Sequence, residues 1–113
     1  MKHIYKHAQT NPFLFMGDFN APENSVVMNY ISGRLKLTPL SRLHVVDSFR
    51  VLYPKSKNVG TYNGFTGLST GPKIDYIMVK PNIKVIEASI LKSNRNGRYP
   101  SDHFPVTAQL RIQ

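Results

Sequence analysis

The sequence predicts an α/β (α+β) fold, a mixed β-sheet flanked by short helices. Three observations carry that expectation. Phe13-Leu14-Phe15-Met16 is a short apolar run halted by Gly17-Asp18, the length and boundary of a buried strand. Lys73–Val79, Ile83–Leu91 and Val106–Ile112 read as further strands, each with side chains alternating between two faces. Between them, apolar residues twice take helical spacing behind a capping side chain, at Asn24 or Ser25 and at Asp47.

The bounds are simple. A chain of 113 residues with 41% hydrophobic content makes one domain with a modest core. No apolar segment approaches membrane-spanning length. Met1 to Thr10 is basic and lacks an apolar stretch of signal-peptide length. The absence of cysteine excludes disulfides, thiolate metal sites and cysteine nucleophiles, and leaves the compartment open. Fifteen Lys and Arg against six Asp and Glu give a net charge of +9. Such a surface attracts phosphate-rich ligands. It equally suits an acidic partner or a balancing segment elsewhere.

In chain order, Met1 to Gln9 reads as the tail of a helix. His3 and His7 lie four apart on it, a spacing that suits a solvated face better than a metal pair lacking a third ligand. Asn11-Pro12 ends that helix. After the first strand, Asn24 or Ser25 caps a helix whose Val26, Val27, Tyr30 and Ile31 share one face, and Gly33 stops it. Arg34 to Leu43 is irregular. Asp47 caps a second short helix, Ser48 to Tyr53, stopped by Pro54, and a cap explains that carboxylate better than catalysis does. Lys55 to Asn58 is a basic turn. Val59 to Phe65 is a strand edge opening into a loop, where Thr61, Tyr62 and Asn63 can meet a substrate or satisfy the loop's own backbone. Ser93 to Tyr99 is a basic loop carrying Arg95 and Arg98. Arg98 and Tyr99 are candidates for substrate contact or for bracing that loop.

Polar residues that can do chemistry stand at three strand edges: Asp18 with Asn20, Asp75, and Asp102 with His103. Asp18 and Asn20 are also ordinary turn formers. Asp75 is less easily dismissed, because an acid on an apolar strand face needs a partner. A buried aspartate beside a histidine fixes the ring's tautomer and stabilises its cation. A further aspartate is free to hold a hard divalent ion through oxygen. Phosphoryl transfer uses such parts: an oriented nucleophile, charge support and donors to the phosphate oxygens.

Gly17-Asp18-Phe19-Asn20, Ile74-Asp75-Tyr76-Ile77 and Ser101-Asp102-His103-Phe104-Pro105, in this order and separation, resemble the endonuclease/exonuclease/phosphatase superfamily. The resemblance covers nearly the whole chain and matches the family's second half. It implies half of a four-layer DNase I-like sandwich. It implies that Asp18 orients or deprotonates the attacking water and that Asn20 donates to the scissile phosphate. Asp102 would ligate Mg²⁺ or Mn²⁺, and His103 would contact the phosphate with Asp75 as its partner. Implied substrates are phosphate esters: nucleic acid, phospholipid head group or sugar phosphate.

The family's first half, with an early Asn, the main glutamate ligand and a further histidine, has no counterpart here. Glu23 follows the first motif too closely to substitute, and Glu87 lies mid-strand. The expectation is therefore a C-terminal portion of one such domain over residues 1–113. Its sheet face would be uncovered and available for self-association. The leading functional reading is a metal-dependent phosphoesterase of phosphodiesterase or nuclease type, weak or inactive as this chain alone. The alternatives are an inactive basic fragment or a module that holds nucleic acid or another polyanion.

Overall fold

The computed structural model describes residues 13–32 and 44–112. The expected helix over 1–9 with His3 and His7, the Asn11-Pro12 stop, Gly33 and the irregular 34–43 stretch lie outside the described residues.

The elements, in chain order, are β1 (Leu14–Asp18), α1 (Val26–Ile31), β2 (Val46–Asp47), α2 (Ser48–Leu52), β3 (Asp75–Val79), β4 (Lys84–Ile90) and β5 (Val106–Arg111). They form a three-stranded sheet ordered β1-β3-β2 and a two-stranded sheet β4-β5. Every described strand pair is antiparallel. The expected architecture of sheets with flanking helices is what forms, with few and short helices.

The β1–β3 register sets Leu14 opposite Val79, Met16 opposite Ile77 and Asp18 opposite Asp75. Cross-strand partners share a face. One face therefore carries Leu14, Ile77 and Val79, which pack with Val85, Ala88 and Leu110 of the second sheet. The other carries Phe15, Tyr76 and Met78, which pack under Met28 and Ile31 of α1. Phe19 lies in this second core, stacked on Phe15 with ring centres 5.7 Å apart and tilted against Tyr76 at 5.4 Å. Tyr76 is 1% exposed, and its hydroxyl lies 2.8 Å from the carbonyls of both Ala21 and Lys73. A buried tyrosine needs such a partner.

Both predicted caps are in place. The Ser25 hydroxyl accepts from Met28 N–H at 3.3 Å and the Asp47 carboxylate from Phe49 N–H at 3.0 Å. The buried face of α1 differs from the expected one. Met28 and Ile31 are buried, whereas Val26 and Val27 are exposed. Six residues make fewer than two turns, so the face is set by where the cap docks and not by periodicity. In β4 the simple alternation also fails. The register shifts between Val85 and Glu87, so Ile86 is an extra residue and Val85 and Ala88 both turn inward. That is a β-bulge, which reassigns faces beyond it.

Candidate functional site

β1 ends at Gly17-Asp18 with Gly17 at φ +141°. A side chain there would meet nothing within 4 Å, so the glycine serves conformation and not space. Asn20 follows in the left-handed region at φ +48°, and its N–H donates to Asp18 Oδ1 at 2.8 Å. This turn points the Asp18 carboxylate off the sheet edge, beside the start of β3.

Asp75 is at that start. Its Oδ2 lies 2.7 Å from His103 Nδ1. On the other side of the ring, His103 Nε2 is 3.9 Å from Asp18 Oδ2 and 3.9 Å from Asp102 Oδ1. Four of the five residues implied by the family resemblance are thus drawn together from β1, β3 and the loop before β5. The imidazole segment is fixed by the Ser101 hydroxyl, which accepts from His103 N–H at 3.0 Å, and by a bridge to Tyr62. A cleft of about 250 Å³ opens over Met16, Asp18, Asp75, His103 and Phe104.

The electrostatics follow from the contacts. The hydrogen bond that His103 Nδ1–H donates to the Asp75 carboxylate raises the His103 pKa above its ordinary value. Desolvation opposes it, and the charges of Asp75, Asp18 and Asp102 add to the rise. One carboxylate therefore sets the tautomer by holding Nδ1–H; Nε2, on the other side of the ring, accepts in the neutral form and donates once the ring is protonated.

Ligand atoms of Asp18, Asp75 and His103 lie within 4.8 Å of one another. Asp75 and Nδ1 are spent on each other. The most exposed carboxylates beside the ring are those of Asp18 and Asp102, whose side chains are 39% and 43% exposed against 15% for Asp75. Hard carboxylate oxygens suit Mg²⁺ or Mn²⁺. The residues fit such an ion as part of its ligand set.

The expected substrate contacts sort differently. Tyr62 is 41% exposed and packs edge-on against His103, ring centres 5.4 Å apart. Tyr99 packs edge-on against Phe104 at 5.7 Å, at the back of the same segment. Arg98 is exposed, its backbone paired with Arg95 across the Asn96-Gly97 turn. Both turn residues have positive φ, +53° and +78°, the hairpin geometry that an Asn-Gly pair signals. Thr61 and Asn63, expected either to meet substrate or to satisfy backbone, are enclosed and bonded to backbone donors. Thr61 is 0% exposed, and its hydroxyl accepts from Ile74 and Asp75 N–H. Asn63 is 5% exposed and accepts from Phe65 N–H at 2.7 Å. Loop polar groups this deep are drawn to orphan backbone donors before any ligand.

One buried cation escaped the sequence reading. Lys73, 4% exposed, pairs with Asp47 Oδ2 at 2.8 Å, lies 3.9 Å over the Tyr76 ring and donates to the Asp75 carbonyl at 3.2 Å. Its only sequence signal is a lysine opening an apolar strand.

Among the described residues no helix is long and apolar enough to cross a membrane. No curated protein sequence matches the chain. Solved structures resemble it, among them two chains more than twice its length. One is a conserved protein of unknown function from Enterococcus faecalis V583, 28% identical with a TM-score of 0.73, over 99% of this chain and 41% of that one. The other is a mannosyl-6-phosphatase from Bacteroides thetaiotaomicron VPI-5482, 30% identical with a TM-score of 0.66, over 98% of this chain and 42% of that one. The chain thus spans about two fifths of the length of the structures it matches. A family model described as endonuclease/exonuclease/phosphatase matches residues 5–103. That family hydrolyses phosphate esters, generally with a divalent metal. The chain therefore belongs to the endonuclease/exonuclease/phosphatase family.

Proposed function

We propose that these residues form the C-terminal part of the catalytic centre of a Mg²⁺- or Mn²⁺-dependent phosphoesterase. The observation that carries the reading is the Asp75–His103 pair at 2.7 Å, with Asp18 and Asp102 both 3.9 Å from the outer imidazole nitrogen. Asp18 orients the attacking water and takes its proton as the water oxygen bonds to phosphorus. Asn20, in the same turn, donates to the phosphate. His103, protonated and held by Asp75, donates from Nε2 to a phosphate oxygen and stabilises charge as the phosphorus–leaving-group bond breaks. Asp102, with Asp18 beside it, would hold the cation, which supplies further charge neutralisation at the phosphate. The main glutamate ligand is expected outside these residues, consistent with the two-fifths span. Tyr62, packed edge-on against His103, and Arg98 and Tyr99 of the loop before Ser101 would contact the substrate.

The ester class is where two substrates compete. Net charge +9 favours a phosphodiester polyanion. The likeness to a mannosyl-6-phosphatase at 30% identity favours a sugar phosphate monoester. A panel of DNA, RNA, sphingomyelin, an inositol phosphate and mannose 6-phosphate, run on the longest native reading frame with Mg²⁺, Mn²⁺ or EDTA, separates them. Turnover of one class should need the metal. Asp18→Ala and His103→Ala should each lower kcat by about 10²- to 10⁴-fold. Near-wild-type turnover in either variant refutes the assignment. Salt-sensitive polyanion binding without turnover identifies a binding module instead.

A further inference from the structure

Thr61 touches both segments that carry the imidazole pair, although it lies outside the cleft. β2 pairs with β3 only at Val79 and Met78. The N–H groups at Ile74 and Asp75 lie beyond that pairing. The Thr61 hydroxyl accepts from both, at 2.9 and 3.1 Å. The same residue's carbonyl accepts from Phe104 N–H at 2.6 Å, one position past His103. Its own N–H donates to the Pro72 carbonyl at 3.0 Å. On the β1 side, Phe19 N–H donates to the Ile74 carbonyl at 2.9 Å, one position past Asp18.

We propose that Thr61 is a positioning residue for the reaction described above: its hydroxyl fixes the Asp75 backbone and its carbonyl the His103 segment. The Asp75 carboxylate and the imidazole come from residues 28 apart in sequence, and Thr61 is the link that sets their separation. Valine has nearly the same shape and no acceptor. Serine keeps the oxygen. The two substitutions therefore separate hydrogen bonding from packing.

The inference rests on the proposed phosphoesterase reading, so the test has an arm that needs no turnover. In the intact protein, Thr61→Val should speed amide exchange at Ile74 and Asp75. It should also abolish the downfield proton signal of the His103 Nδ1–H bonded to Asp75. Thr61→Ser should keep both wild-type features. With turnover, Thr61→Val should lower kcat by about 10- to 100-fold with little change in KM, and Thr61→Ser should restore it. A Thr61→Val protein that retains the imidazole signal and protected amides overturns the proposal, as does a Thr61→Ser protein that loses them. Should Thr61→Val not fold, Thr61→Cys decides, its sulfur being a weak acceptor. Weakened protection at the two amides supports the proposal and unchanged protection overturns it. If no form of the protein turns over, the spectroscopic result still decides on Thr61 while the phosphoesterase reading falls.

Discussion

Asp75 shares its strand face with Ile77 and Val79, and what it meets there is an imidazole and not solvent. The pair makes a signed prediction about pH. The folded-state pKa of His103 is raised, chiefly by the Asp75 hydrogen bond, above an unfolded value of about 6.5. Protonation therefore favours folding. The stabilisation is fully present below about pH 6.5 and is lost as pH rises through the raised folded value. Urea unfolding in EDTA across that window should show wild type losing stability relative to His103→Asn as pH climbs. A difference that grows with pH contradicts the assignment. Asp75 could be suspected from sequence because an acid among apolar alternation demands a partner. Thr61 could not be placed that way. Which donors a threonine hydroxyl meets depends on loops brought together only in the folded chain, so its residue type carried no sign of its role.

At the level of elements, α2 and β3 are joined by a buried ion pair. Asp47 caps the helix through one oxygen, and its other oxygen holds Lys73 at the start of β3. The side chains are 11% and 3% exposed, so losing one partner strands a desolvated charge. Lys73→Met should destabilise by about 3–5 kcal/mol. Adding Asp47→Asn, which removes the stranded charge and still caps the helix, should recover much of that loss. Urea midpoints of the two single variants and the double variant check it. Simple additivity of the single losses would show that the pair is not coupled. The cap itself was legible, because Asp before a short helical pattern closed by Pro54 is a local signal. The partner lies 26 positions away and was not. The bulge in β4 was hidden for a related reason. Ile86 is as apolar as its neighbours, and only the pairing with β5 shows that it is the extra residue.

For the molecule as a whole, the convergence of the three motifs was implied by their resemblance to a family, and the placement of the loops around them was not. Those loops are shaped by turns such as Asn96-Gly97 and by rings that pack inward, as Tyr99 does on Phe104. Met16, on the inner sheet face beside the cleft, is 61% exposed. The mouth of the cleft is therefore partly apolar, while among the described residues exposed Lys55, Lys57, Arg95 and Arg98 lie outside its lining. This distribution makes the ester class readable through ionic strength. A nucleic acid would engage many surface cations at once and release a counterion for each phosphate neutralised. A sugar phosphate would meet only the groups lining the cleft, within a screening length of about 8 Å at physiological salt. Raising NaCl from about 50 to about 200 mM should weaken kcat/KM for a polynucleotide by about 10³-fold if six or more phosphates are contacted. The same change should alter kcat/KM for mannose 6-phosphate by only a few-fold. The effect should reside in KM, because the imidazole pair and its carboxylates lie too close together for bulk ions to screen. Turnover of a polynucleotide that is indifferent to salt would mean that the +9 charge has no part in substrate capture. The cleft alone would then set the substrate.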